Sequence, residues 1–209
     1  MEKNKNSDNY LSRTVEYSDD NSNELADIYA ILQELKFVIE SSMRLANLCD
    51  QKSDDEIQKR ALYSGALQSY SRCFTSSNRK HLNPNIYSDL EGEPLACHKM
   101  YLGMRNRHLA HSVNAFEQMK IGLSLAPVET GIKEIIGVGC YTMLLVYADA
   151  ENMRQLARLA DVARRHLETE IEKLQNEIIK VANQKNINDF YVQPNLRFTA
   201  QGDTESSRS

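Results

Sequence analysis

From Asp149 onward the chain runs for about 34 residues with neither glycine nor proline. Within that stretch Met153, Leu156, Ala160, Ala163, Leu167, Ile171, Leu174, Ile178 and Val181 return every three or four positions. That period lays a single apolar stripe along a helix. At the standard rise the helix is roughly 50 Å long, and Asp149 stands where an N-cap acceptor belongs. Such a helix can only be the spine of a helical architecture. A small domain seldom covers both ends of so long an element, so part of it is expected to meet another chain.

Three further helices are predicted. In the first, Leu25, Ile28, Leu32, Leu35, Ile39, Ser42, Ala46 and Cys49 keep three-four spacing, with Ser42 the polar intruder. In the second, Ser53-Asp54-Asp55-Glu56 has the form of a capping box and predicts a helix from Asp54 to about Ser76, with Ala66, Tyr70 and Cys73 on one face. After a loop through Asn83-Pro84 and Glu91-Gly92, Pro94 suits the first turn of a third helix ending near Ser112. Between Phe116 and Val146 the pattern changes. Alternation in Lys120–Leu125 hints at a short strand, and Pro127 to Gly131 could turn a hairpin, although Gly139 to Ala148 could instead begin the last helix. The predicted class is mainly α: a bundle of about four long helices with a small irregular or β-hairpin insertion before the last. Residues 22–184 form the predicted domain. A polar segment, 1–21, and a polar tail, 185–209, are expected to be weakly ordered.

A chain of 209 residues with 41% hydrophobic and 26% charged residues has enough apolar content for one globular core. Its net charge of −4 argues against a broad basic surface, so any positive patch must be local. Cys49, Cys73, Cys97 and Cys140 form no CxxC pair and sit in apolar-patterned segments, which predicts buried free thiols in a reducing compartment. The first twenty residues lack the apolar core of a secretory signal. The longest uncharged run, Ile135 to Ala148, has 14 residues, too few to span a bilayer and suited to a buried core element. A cytoplasmic protein without membrane association is expected. His81, His98 and His166 are isolated from other metal-ligating residues, and Gly137-Val138-Gly139 lacks what a phosphate-binding loop needs, so neither metal nor cofactor is expected.

The remaining signal is YLGMRNRHLAHS, residues 101–112. On a helix Arg105, His108 and His111 touch in steps of three and Arg107 stacks under His111, while Leu102 and Leu109 turn toward the core. The cations then share one exposed arc at the helix's C-terminal end. Cationic side chains favour that end because the helix dipole is negative there, so a solvated charged face accounts for the composition. The order of residues says more. Arg105-Asn106, four further residues and His111 resemble the R-x(4–6)-H signature of the HEPN superfamily (higher eukaryotes and prokaryotes nucleotide-binding domains). The stretch is also close to the R-[ND]-x-H-x-A-H-S form common among its prokaryotic members. The likeness of fold covers about residues 22–184, and the sharp part only seven.

The resemblance implies a metal-independent endoribonuclease acting in toxin–antitoxin systems or antiviral defence. It gives His111 the acid/base role, Arg105 the stabilisation of charge building on the phosphate, and Asn106 the orienting of His111 or the phosphate. An imidazole titrates near neutrality, and a guanidinium is a permanently charged fork for phosphate oxygens. Arg107, His108 and Arg72 are lesser candidates for substrate contact; a solvated charge, a surface imidazole and a structural ion pair are their respective alternatives. Arg105 and His111 lie about 240° apart around one helix. Family members overcome this by dimerising, so that two motif helices build one composite site. RNA, a second copy and an antitoxin or regulatory protein are the implied partners. HEPN toxins restrained by nucleotidyltransferases often carry a tyrosine two residues beyond the histidine. Val113 stands there instead, which puts that form of regulation in doubt. Two other readings stay open: a cleavage-inactive module binding RNA, nucleotide or protein, and a plain helical oligomerisation protein.

Overall fold

The computed structural model describes residues 13–75, 80–109, 117–144 and 149–197, with the backbone alone for 107–109, 117–118 and 143–144. The fold is mainly helical: α1 (Asp20–Asp50), α2 (Glu56–Phe74), α3 (Pro94–Leu109), α4 (Ala150–Ala182) and a short α5 (Ile187–Tyr191). One antiparallel pair of strands, β1 (Glu117–Leu125) and β2 (Ile135–Leu144), separates α3 from α4.

The spine forms as its stripe requires. Asp149 accepts a hydrogen bond from the backbone N–H of Asn152 at 2.8 Å and starts α4. Met153, Leu156, Ala160, Ala163, Leu167 and Ile171 are buried along one face. They pack on Ile28, Leu32, Leu35, Val38 and Leu45 of α1, and the α1–α4 pair is the most extensive contact in the molecule. The two helices run antiparallel: Arg154 pairs with Asp50 at one end, and Gln175 donates to the Tyr29 hydroxyl at 2.9 Å toward the other. The short 51–55 connection folds α2 back on α1, and α2 then packs on α3.

The start of α2 differs from the capping box expected at Ser53. Asp55 is the N-cap, accepting from the Gln58 N–H at 2.9 Å, and Ser53 instead accepts from the Asp55 N–H at 3.2 Å. Two consecutive aspartates after Ser53 allow the cap to slide inward, because a carboxylate is as good an acceptor as a hydroxyl. A reciprocal capping box does exist, at Asp19 and Ser22 of α1.

Residues 13–19 and 187–197 are also more organised than their polarity implies. Val15 and Asn195 form a β-bridge, Leu196 N–H donates to Thr14 C=O at 2.8 Å, and Arg13 donates to the carbonyls of Tyr191 and Gln193. Tyr17 packs at 6.1 Å from Phe190, with the Lys185 ammonium 4.6 Å over its ring. These segments border Ile178, Ile179 and Ala182. The far end of the long helix is lined by the protein's own flanking segments.

The 135–148 run departs most from expectation. Ile135–Leu144 is a strand, so Gly139 does not begin the last helix, and the described apolar side chains of the run are exposed rather than buried: Ile136 is 61% and Val138 69% accessible. The register pairs Met119 with Thr142, Ile121 with Cys140 and Leu123 with Val138, then shifts at a bulge so that Leu125 faces Ile135. Since directly paired residues share a face, this face is apolar. Its opposite holds Lys120, Gly122, Ser124, Gly137, Gly139 and Tyr141. There the Tyr141 ring lies where a Cβ on Gly122 would fall, 2.6 Å from the nearest ring carbon. The aromatic ring covers backbone that glycine leaves bare. Cys140 is consequently exposed, and only Cys73 of the four expected buried thiols is fully so, its pKa raised by burial to about 12.

Candidate functional site

The position of α3 is set by buried tyrosines and one histidine. His98 is 2% accessible and packs edge-on against Phe74 at 4.5 Å, with Tyr70 and Tyr87 at 5.7 and 5.5 Å. Its Nδ1 is 2.9 Å from the Tyr70 hydroxyl, which is 3.2 Å from the Tyr87 hydroxyl, which donates to Leu159 C=O at 3.1 Å. Counting protons orients this chain. Each hydroxyl has one proton to give, and Tyr87 spends its own on Leu159. Tyr70 must then donate to Tyr87, and His98 must donate from Nδ1–H to Tyr70. The imidazole is therefore the neutral Nδ1–H tautomer. Burial, with Lys99 nearby as a lesser cause, lowers its pKa to about 4. One helix turn on, the Tyr101 hydroxyl donates to Asn152 C=O at 2.5 Å and lies 3.0 Å from Gln155 Oε1, tying α3 to the start of α4.

With α3 held this way, Arg105 and Asn106 fall on its outer last turns. Arg105 is half-buried and Asn106 exposed. Arg105 Nε donates to Gln68 Oε1 of α2 at 3.3 Å, and its Nη1 donates to Asn106 Oδ1 at 3.1 Å. A guanidinium has only donors, so Asn106 must turn its oxygen to Arg105 and its NH2 group outward. Among the described residues no partner takes Nη2. The result is a cation held at Nε and at Nη1 by two amide oxygens, with Nη2 between them facing outward.

The remaining predicted residues are distributed less compactly. Arg107 and His108 lie on the α3 backbone, their side chains outside the described residues, and His111 and Val113 lie outside them altogether. Arg72 is 60% accessible at the C-terminal end of α2 and is bound to Glu34 of α1 at 3.0 Å, the ion-pair alternative of its two readings. Gln68, four residues before Arg72 on the same stripe, was not singled out by sequence. Nothing in its own neighbourhood marks it, because its partner is 37 residues away. His98, isolated in sequence, proves a buried structural element. Among the described residues no three His, Cys, Asp or Glu side chains gather as a metal site, and no helix is long and apolar enough to cross a membrane.

Comparison with protein-family models, curated proteins and solved structures finds no match to this chain.

Proposed function

We propose that this chain is a HEPN-type, metal-independent endoribonuclease acting as a homodimer in toxin–antitoxin or antiviral defence. The observation supporting it is the braced Arg105: a fixed guanidinium beside Asn106 at the exposed end of a helix in a mainly α domain. A preorganised cation costs little reorganisation when charge builds on a phosphate, which is what such a reaction needs. In the reading, the imidazole of His111 takes the 2′-OH proton as that oxygen bonds to phosphorus. The P–O5′ bond breaks, and the proton is returned to the leaving 5′-oxygen. The products are a 2′,3′-cyclic phosphate and a 5′-hydroxyl, and no water is consumed. Arg105 stabilises the equatorial oxygens, and Asn106 meets the phosphate or His111 with its free NH2 group. Arg107 and His108 provide outer contacts, and a partner protein restrains the activity.

The test is cleavage of fluorescent RNA by the full chain in EDTA, with product ends identified by mass. His111→Ala and Arg105→Ala should each slow cleavage by about 100-fold or more. Cleavage that survives both substitutions, or that needs added metal, refutes the proposal. An inert wild type that binds RNA would favour the binding-module reading.

A further inference from the structure

The hairpin poses a problem of its own. Two strands alone are marginal in water and need a third strand or a packed face to be stable. Among the described residues, every large apolar side chain on its face is more than half accessible: Met119 66%, Ile121 73%, Leu123 58%, Leu125 66%, Ile135 58% and Val138 69%. Cys140 and Thr142 complete that face, and from Met119 to Leu125 it carries no charge. Side chains of this size at such exposure offer roughly 100 Å² each. Six such side chains, with exposed Cys140 and Thr142 beside them, bring the patch toward the ~800 Å² per partner that a stable interface buries.

We infer that this face is a homodimerisation surface, covered by the same face of a second copy of the chain. Between Met119 and Leu125 the face is uncharged and so complementary to itself, with Glu117 on the same face only at its outer end. A two-fold axis through that uncharged stretch stacks two hairpins into a four-stranded sandwich with an apolar centre. The opposite face, with its glycines and lone Tyr141, offers no such ridges. The lipid alternative is disfavoured by the turn, where Glu129, Lys133 and Glu134 are exposed at the end that would have to enter a bilayer first. The hairpin also follows the motif helix directly in the chain. If the chain is the ribonuclease proposed above, an axis there joins the two copies whose motif helices a composite site requires.

Sedimentation equilibrium of the full chain tests the surface, comparing wild type with the Leu123→Asp/Val138→Asp double variant. Wild type should sediment at twice 23.9 kDa, and the variant should associate at least about 100-fold more weakly with an unchanged far-UV helical signal. Maleimide labelling of wild type, followed by peptide mass, gives a second readout free of folding artefacts. Cys140 should label about tenfold more slowly in the dimer than after dilution to monomer. A wild type that is monomeric at about 100 μM, a dimer untouched by both aspartates, or Cys140 labelling independent of concentration overturns the inference. So does wild-type flotation with neutral phosphatidylcholine vesicles that the variant loses. A hairpin-held dimer without cleavage keeps the surface and refutes the ribonuclease. Full-rate cleavage by a monomeric variant refutes only the composite site.

Discussion

Lowering the pH from about 7 to 5 should weaken the fold largely through His98. An unfolded histidine titrates near 6.5, whereas the buried ring titrates at about 4. Between those values the unfolded chain binds a proton that the folded chain refuses. The stabilisation is therefore complete above the unfolded value and is lost as pH falls toward the folded one. Linkage puts the loss at about 2 kcal/mol from pH 7 to 5, and roughly 3 kcal/mol by pH 4. The other groups with displaced pKa values do not blur this window. Burial raises the pKa values of Tyr70, Tyr87 and Tyr101, so they stay protonated throughout. Asp149, Glu151 and Asp161 are lowered, the first by the Asn152 N–H and the others by arginine hydrogen bonds, so their contributions disappear only at lower pH. The assay is urea unfolding at a series of pH values for wild type and His98→Asn. The asparagine Nδ2 takes the place of Nδ1–H and still donates to Tyr70, but it cannot titrate. Whatever its stability at pH 7, the variant should lose about 2 kcal/mol less than wild type between pH 7 and 5. Equal slopes would refute the neutral ring.

Other substitutions isolate single contributions. Ser42 is fully buried with an Oγ that has no hydrogen-bond partner among the described residues, so Ser42→Ala should raise stability by about 1 kcal/mol in urea unfolding. Asp149→Ala removes the cap of α4 and should cost about 1 kcal/mol by the same measurement. Asn106→Asp keeps the oxygen that braces Arg105 but replaces the outward NH2 donor with negative charge. It should leave thermal stability within about 0.5 kcal/mol of wild type and abolish RNA cleavage. Gln68→Ala frees one edge of Arg105 and should slow cleavage by about tenfold without changing RNA end chemistry.

Much of this architecture is legible residue by residue. The three-four stripes of α1 and α4 read correctly because a helix buries one face over many turns, so single exceptions such as Ser42 do not hide the period. Asp149 and Pro94 mark their helix starts because capping and a missing N–H are local properties. Where the outcome depends on what lies opposite, sequence falls short. Ile135–Ala148 looks like core from its lack of charge, yet Ile135, Ile136 and Val138 are exposed on a strand, because charge content alone does not say what packs against a face. Asp55 displaced Ser53 because two good acceptors compete within one turn. His98 gave no signal, since Tyr70 and Tyr87 reach it from other elements. Arg105 stood out by its motif, whereas Gln68, which braces it, carries no pattern of its own.

The pairing of Thr14 with Leu196 and of Val15 with Asn195 brings positions near the two ends of the described chain side by side. Fluorophores attached at Arg13 and Arg197 would report unzipping of this clasp before the helices melt. The same closeness makes the molecule a candidate for circular permutation, with the old ends joined and new ones opened in the exposed turn at Val128–Thr130.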